Sequence, residues 1–178
     1  MKLEFGGGEK LSPGFIGCDV RDVDNVKYVC NCWDIDKHVD EGSVDEIYSR
    51  HMFEHLTFAQ GKRTLEVWYK ILREGGKVHL IMPDLKYHVD EYIRFYSDRE
   101  SSDRGNNFFH AVKSIFGGQR ESIDCDYFTT FNSTWDIHKS GYDEVSLRQL
   151  VQSYGYKDFH RNNNSPWHLD VTFFKETT

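Results

Sequence analysis

Three groups of residues in this chain have the types and spacing to do chemistry. In the first, Glu4 stands two residues ahead of Gly6-Gly7-Gly8, and Asp19 follows at the end of the next apolar stretch. Glycine admits positive φ and lets a ligand approach main-chain atoms that a Cβ would shield. An acid at the carboxyl edge of an open parallel sheet can accept both hydroxyls of a ribose. In the second, His51-Met52-Phe53-Glu54-His55 reads H-x-x-E-H, in which two histidines four apart on a helix face share a zinc and the glutamate acts as base. In the third, Asp84 follows a strand pattern and His138 precedes a helix pattern. A histidine titrating near neutrality suits proton removal from a hydroxyl or an amine.

Each group also has a plain structural use. The glycines would make a tight turn before an edge strand, with Asp19 a surface acid. Glu54 and His55 would tie neighbouring loops together. Asp84 would cap a helix, the commonest task of Asp in that position, and His138 would anchor its loop through a backbone hydrogen bond.

The elements that must position these groups alternate between strand and helix patterns. Leu3 and Phe5 mark a first strand; Phe15, Ile16 and Val20 a second; Val26 to Cys32 a third; Ser43 to Arg50 a fourth. Thr57 to Arg73 is the clearest helix. Thr57 with Gln60 makes a capping box, Leu65, Trp68, Ile71 and Leu72 recur at helical spacing, and Gly75-Gly76 closes it. Lys77 to Met82 is a fifth strand, ending in Pro83-Asp84. A helix carries Leu147, Leu150, Val151 and Tyr154, and Tyr156–Arg161 with His168–Lys175 form a final antiparallel pair. Only nine residues separate Phe5 from Phe15, fewer than the ten to twelve a βαβ crossover usually needs, so the first crossover helix is absent or reduced to a turn. The strand pattern before His51 and the new helix start at Thr57 leave no long helix for a zinc motif. With no third ligand identifiable either, no metal site is expected.

Taken in order, these motifs resemble the class I S-adenosylmethionine-dependent methyltransferases, in particular a compact bacterial and phage subset similar to the type 11 enzymes. Leu-Glu-Phe-Gly-Gly-Gly resembles their first motif, and Pro13-Gly14-Phe15 resembles the subset's direct entry into strand two. Val44 to Leu56 resembles the segment after strand four, and Gly75-Gly76 through Asp84 resembles strand five and its end. The resemblance implies a Rossmann-like three-layer α/β sandwich: a seven-stranded, mostly parallel sheet with an antiparallel C-terminal hairpin. It implies methyl transfer from S-adenosylmethionine. Glu4, Gly6, Gly7 and Gly8 would hold the methionine end and Asp19 the ribose. Asp34 and Ile35 after strand three would meet the adenine, and His51 and Met52 would line the pocket. His138 or Asp84 would meet the acceptor, which the subset suggests is a sugar or another small molecule. The short first crossover departs from the general pattern, so a catalytically inactive binding module of the same fold is the alternative, with the zinc hydrolase third.

Composition bounds the rest. A chain of 178 residues suits one domain. With 38% apolar and 29% charged residues it is of ordinary globular make-up. The formal charge of −7 argues against broad nucleic-acid binding. No apolar run is long enough for a membrane span or a signal peptide. Cys18, Cys30, Cys32 and Cys125 form no C-x-x-C pair, so a reducing cytoplasm is the simplest setting. Aromatic residues crowd residues 86–137, among them Phe95, Phe109, Phe116, Tyr127, Phe128, Phe131 and Trp135. This insertion is expected to supply core packing or a homodimer contact before a substrate pocket.

Overall fold

The computed structural model describes residues 1–97, 104–117, 137–162 and 165–177. The expectations for Cys125, Tyr127, Phe128, Phe131 and Trp135 lie outside the described residues. Seven strands, β1 Lys2–Phe5, β2 Ile16–Asp19, β3 Val26–Val29, β4 Val44–Arg50, β5 Leu72–Pro83, β6 Tyr156–Arg161 and β7 His168–Lys175, join in one sheet of order β3-β2-β1-β4-β5-β7-β6. β1 to β5 run parallel, and β7 is antiparallel to both β5 and β6. The helices are α1 Phe58–Ile71, α2 Leu85–Ser97, α3 Arg104–Phe116 and α4 Glu144–Ser153. The fold is thus a Rossmann-like α/β fold with a C-terminal antiparallel hairpin.

Strand alternation divides the sheet into two unlike faces. Leu3, Phe5, Ile47, Val78, Leu80, Met82, Val171 and Phe173 are buried with Leu65, Trp68 and Ile71 of α1 and with Leu147 and Val151 of α4. The Trp68 ring lies 4.9 Å from that of Phe5, tilted by 35°, and the Tyr156 hydroxyl donates to the Leu65 carbonyl at 2.9 Å. The capping box that opens α1 forms as its sequence predicts: Thr57 Oγ1 accepts from the Gln60 amide, and Gln60 Oε1 accepts from the Thr57 amide. The other face carries Lys2, Glu46 and Lys77 in one row, Glu46 bridging both lysines at 3.0 and 2.7 Å. Tyr48 and His79 follow in the next row, 5.1 Å between rings. No helix joins β1 to β2 or β2 to β3, so the reduced first crossover is a fact of the fold.

Two boundaries move. α1 ends at Ile71 and β5 begins at Leu72, with Leu72 paired to Val44 before the register shifts to Glu46↔Lys77. The glycine pair at 75–76 therefore does not cap the helix. Gly75, at φ +65°, lets the strand bulge instead. β3 stops at Val29, short of Cys32. In the aromatic-rich insertion, α2 packs with α3. Phe95 and Ala111 are buried there, whereas Phe109 and Phe116 are exposed.

Candidate functional site

The glycine turn follows β1 at the carboxyl edge of the parallel strands. The Gly6 amide donates to the Cys18 carbonyl at 3.0 Å, closing the turn onto β2. Gly6 has φ +76°, and a Cβ there would stand 2.7 Å from Met52 Cβ. A Cβ on Gly7 would stand 2.9 Å from both Glu4 Oε1 and Leu11 Cδ2. Glycine is therefore required at Gly6 by conformation and by the approach of Met52, whereas at Gly7 the ends of the Glu4 and Leu11 side chains fill the space of a Cβ. Glu4 is buried, and its Oε2 accepts from the Ser12 amide at 2.7 Å. A cavity of about 300 Å³ opens here, lined among others by Glu4, Gly6, Gly7, Tyr48, Arg50 and His51.

Asp19 ends β2, as the sequence pattern expects, but its carboxylate is engaged. Arg21 donates from Nε and Nη2 to its two oxygens at 3.0 and 2.9 Å, and the Arg21 amide adds a third bond. Burial would raise the Asp19 pKa, yet the Arg21 hydrogen bonds and charge outweigh it and hold the carboxyl below its ordinary value. The same guanidinium lies over Gly8, where a Cβ would meet Nη2 at 2.8 Å. Asp34 accepts from Asn31 and Lys37. Ile35, in a 3₁₀ turn over Ile35–Lys37, is fully buried in the core. The Ile35 side chain, expected with Asp34 at the adenine, thus lies in the core cluster with Leu65 and Trp68 of α1.

The H-x-x-E-H stretch does not sit on one helix. His51 takes φ +50° at the end of β4, and only Phe53–His55 form a single 3₁₀ turn. His51 Nδ1 lies 3.2 Å from Glu54 Oε1, while His55 Nδ1 donates to the Ile137 carbonyl at 3.1 Å. The two histidines thus have different partners, and a zinc-protease helix is excluded. A second cavity of about 300 Å³ is lined by five histidines, His51, His88, His110, His138 and His168, together with Lys113 and neighbours. His51 lines both cavities.

His138 reaches this cavity from the loop before α4. Its Nδ1 donates to the Ser114 carbonyl at 2.8 Å, and its ring stands edge-on to His55 at 5.0 Å. Burial lowers its pKa; Glu54 opposes that and His55 adds to it. Asp84 does otherwise. One oxygen caps α2 by accepting from the Lys86 and Tyr87 amides, and the other pairs with Arg161 at 2.7 Å. The carboxylate expected to meet the acceptor is thus buried and already engaged by these partners. Arg21, His88, His110 and His168 were not singled out by sequence reasoning. Arg21 lies only two residues from Asp19, a short-range signal that was available. The three histidines come together only through the tertiary fold.

No protein-family model and no curated protein matches the sequence. Solved structures do. DhpI in its SAH complex aligns with TM-score 0.61 at 13% identity, over 99% of this chain and 77% of that one. A SAM-dependent methyltransferase from Methanosarcina mazei aligns at 0.59 and 11% identity, over 99% and 92%. The CurJ carbon methyltransferase aligns at 0.57 and 13% identity over 99% of this chain, which spans only 48% of its length. The strand order, the hairpin and these alignments together establish that the chain has the fold of the class I S-adenosylmethionine-dependent methyltransferases.

Proposed function

We propose that the protein transfers a methyl group from S-adenosylmethionine to a small-molecule acceptor, of the sugar type or with a comparable hydroxyl or amine, in the cytoplasm. The observation that carries this reading is His51 standing in the walls of both cavities, so that a donor and an acceptor would meet at one side chain.

The residues fit the cofactor. Gly6 leaves no room for a Cβ at the turn that lines the cavity, and Glu4 beside it in the cavity wall is buried. The cavity they line is at the lower end of the range for small-ligand sites, about 300–1,000 Å³. Glu4 and Gly6 to Gly8 would hold the methionine end, Asp19 the ribose once Arg21 swings aside, and Asp34 the adenine edge. S-adenosylmethionine, when bound, supplies an electrophilic methyl on a sulfonium. The protein's part is then chiefly to hold the acceptor atom in line and exclude water. His138, whose Nδ1 hydrogen is fixed on the Ser114 carbonyl, keeps Nε2 as the basic nitrogen that takes the acceptor's proton.

Incubation with methyl-labelled S-adenosylmethionine and a panel of sugars, phenols and small amines tests this. Label should pass to one acceptor class, and His138→Ala should lower kcat by about 100-fold or more. Cofactor binding without transfer to any acceptor would favour the inactive binding module.

A further inference from the structure

We propose that Glu54, His55 and His138 form a binding site for one divalent first-row transition cation, such as Zn²⁺ or Co²⁺. Each offers a ligand atom, and the three lie within 4.8 Å of one another. They come from two places in the chain, the 3₁₀ turn after β4 and the loop before α4, joined by the Lys139 and Ser140 amides donating to the Glu54 carbonyl.

Three features point to a cation and not to a packing cluster. Glu54 is 2% exposed, and its Oε2 has no hydrogen-bond partner although Oε1 is engaged by His51. A buried carboxylate oxygen without a donor costs free energy that a bound cation would recover. His55 and His138 each fix Nδ1–H on a backbone carbonyl, of Ile137 and Ser114. That is how ligating histidines are oriented, with the tautomer set so that Nε2 carries the free lone pair. The donor set, two imidazoles and one carboxylate, suits Zn²⁺, Co²⁺ or Fe²⁺ and not the oxygen-preferring Mg²⁺ or Ca²⁺.

A tetrahedral site places its donors about 3.3 Å apart, so the three side chains would draw together by an ångström or so. Three protein ligands leave a coordination position open, and His138 also lines the histidine-rich cavity. If the methyltransferase reading holds, an acceptor hydroxyl bound at that position would lose its proton to solvent with the metal stabilising the alkoxide, and His138 would serve as ligand instead of base.

The test uses chelator-treated full-length protein titrated calorimetrically with Zn²⁺ and, separately, with Co²⁺, without S-adenosylmethionine, so its outcome is independent of methyl transfer. One equivalent should bind, and His55→Ala and His138→Ala should each weaken binding by about 100-fold. His110→Ala and His168→Ala, which alter the cavity but not the cluster, should leave it unchanged. X-ray absorption on the wild-type Zn²⁺ form, which needs no variant, should count two imidazoles and no sulfur. Failure to bind, affinity indifferent to His55 and His138, or sulfur ligation through the cysteines would overturn the proposal.

Discussion

The two ends of the carboxyl edge are built differently. At β1 and β2 the polar groups are already paired: Glu4 with the Ser12 amide, Asp19 with Arg21. Around β4, α2 and the loop before α4, buried polar atoms are left over, Glu54 Oε2 and His88 Nδ1 among them. The first region is a self-satisfied cradle. The second holds unused lone pairs beside a cavity, and buried atoms of this kind call for a ligand, a cation or a water. Shape does the work on one side and unsatisfied chemistry on the other.

The largest effect is expected where the cradle is broken. Gly6→Val combines a disfavoured φ with a Cβ 2.7 Å from Met52 and should cost about 4 kcal/mol. Chemical denaturation would measure it, and S-adenosylhomocysteine binding should be lost in the fraction that still folds. If the variant folds and binds normally, the cradle is not where the cofactor sits.

The histidine side should respond to pH. Burial, with His110 adding, lowers the His88 pKa from 6.5 to about 4. The unfolded chain therefore takes up a proton below the ordinary value that the folded chain refuses until about pH 4. Stability from this residue is whole above pH 6.5 and is lost as pH falls, by up to about 3 kcal/mol. Denaturation curves at stepped pH should show a shallower acid loss for His88→Gln than for wild type.

Asp84 sharpens the comparison differently, since it lies at the same edge yet belongs to the framework. Asp84→Ala leaves Arg161 only the longer contacts to Glu144 at 3.6 Å and the His168 carbonyl at 3.4 Å, removes the α2 cap, and should cost about 2 kcal/mol. Transfer by the folded fraction should stay within a few-fold of wild type. A loss of activity with stability intact would give Asp84 a part in the reaction.

The smallest effect belongs to Arg21. Its side chain is 44% exposed, so Arg21→Ala should cost under about 1 kcal/mol. By freeing Asp19 it should tighten S-adenosylhomocysteine binding a few-fold by calorimetry.

What was legible in the sequence follows the same division. The glycine turn, Asp19, the Thr57 box and both hairpin strands depend on neighbours within a few residues, and local physics suffices for them. The pairing of Asp84 with Arg161 and the meeting of His55 with His138 join residues about eighty apart, and no local pattern announces them. H-x-x-E-H illustrates both sides. Its match to a helix motif misleads, because β4 runs through to Arg50 and His51 takes a left-handed backbone. Two of its members nevertheless gather around a histidine from another part of the chain.

The central claim is that the turn after β1 and the acid ending β2 hold a nucleoside-linked cofactor. Calorimetric titration of wild type and Asp19→Ala with S-adenosylhomocysteine tests it most directly. Saturable one-to-one binding, weakened at least about tenfold in the variant, is the predicted result. No heat at millimolar ligand, or equal affinity in both proteins, would contradict it.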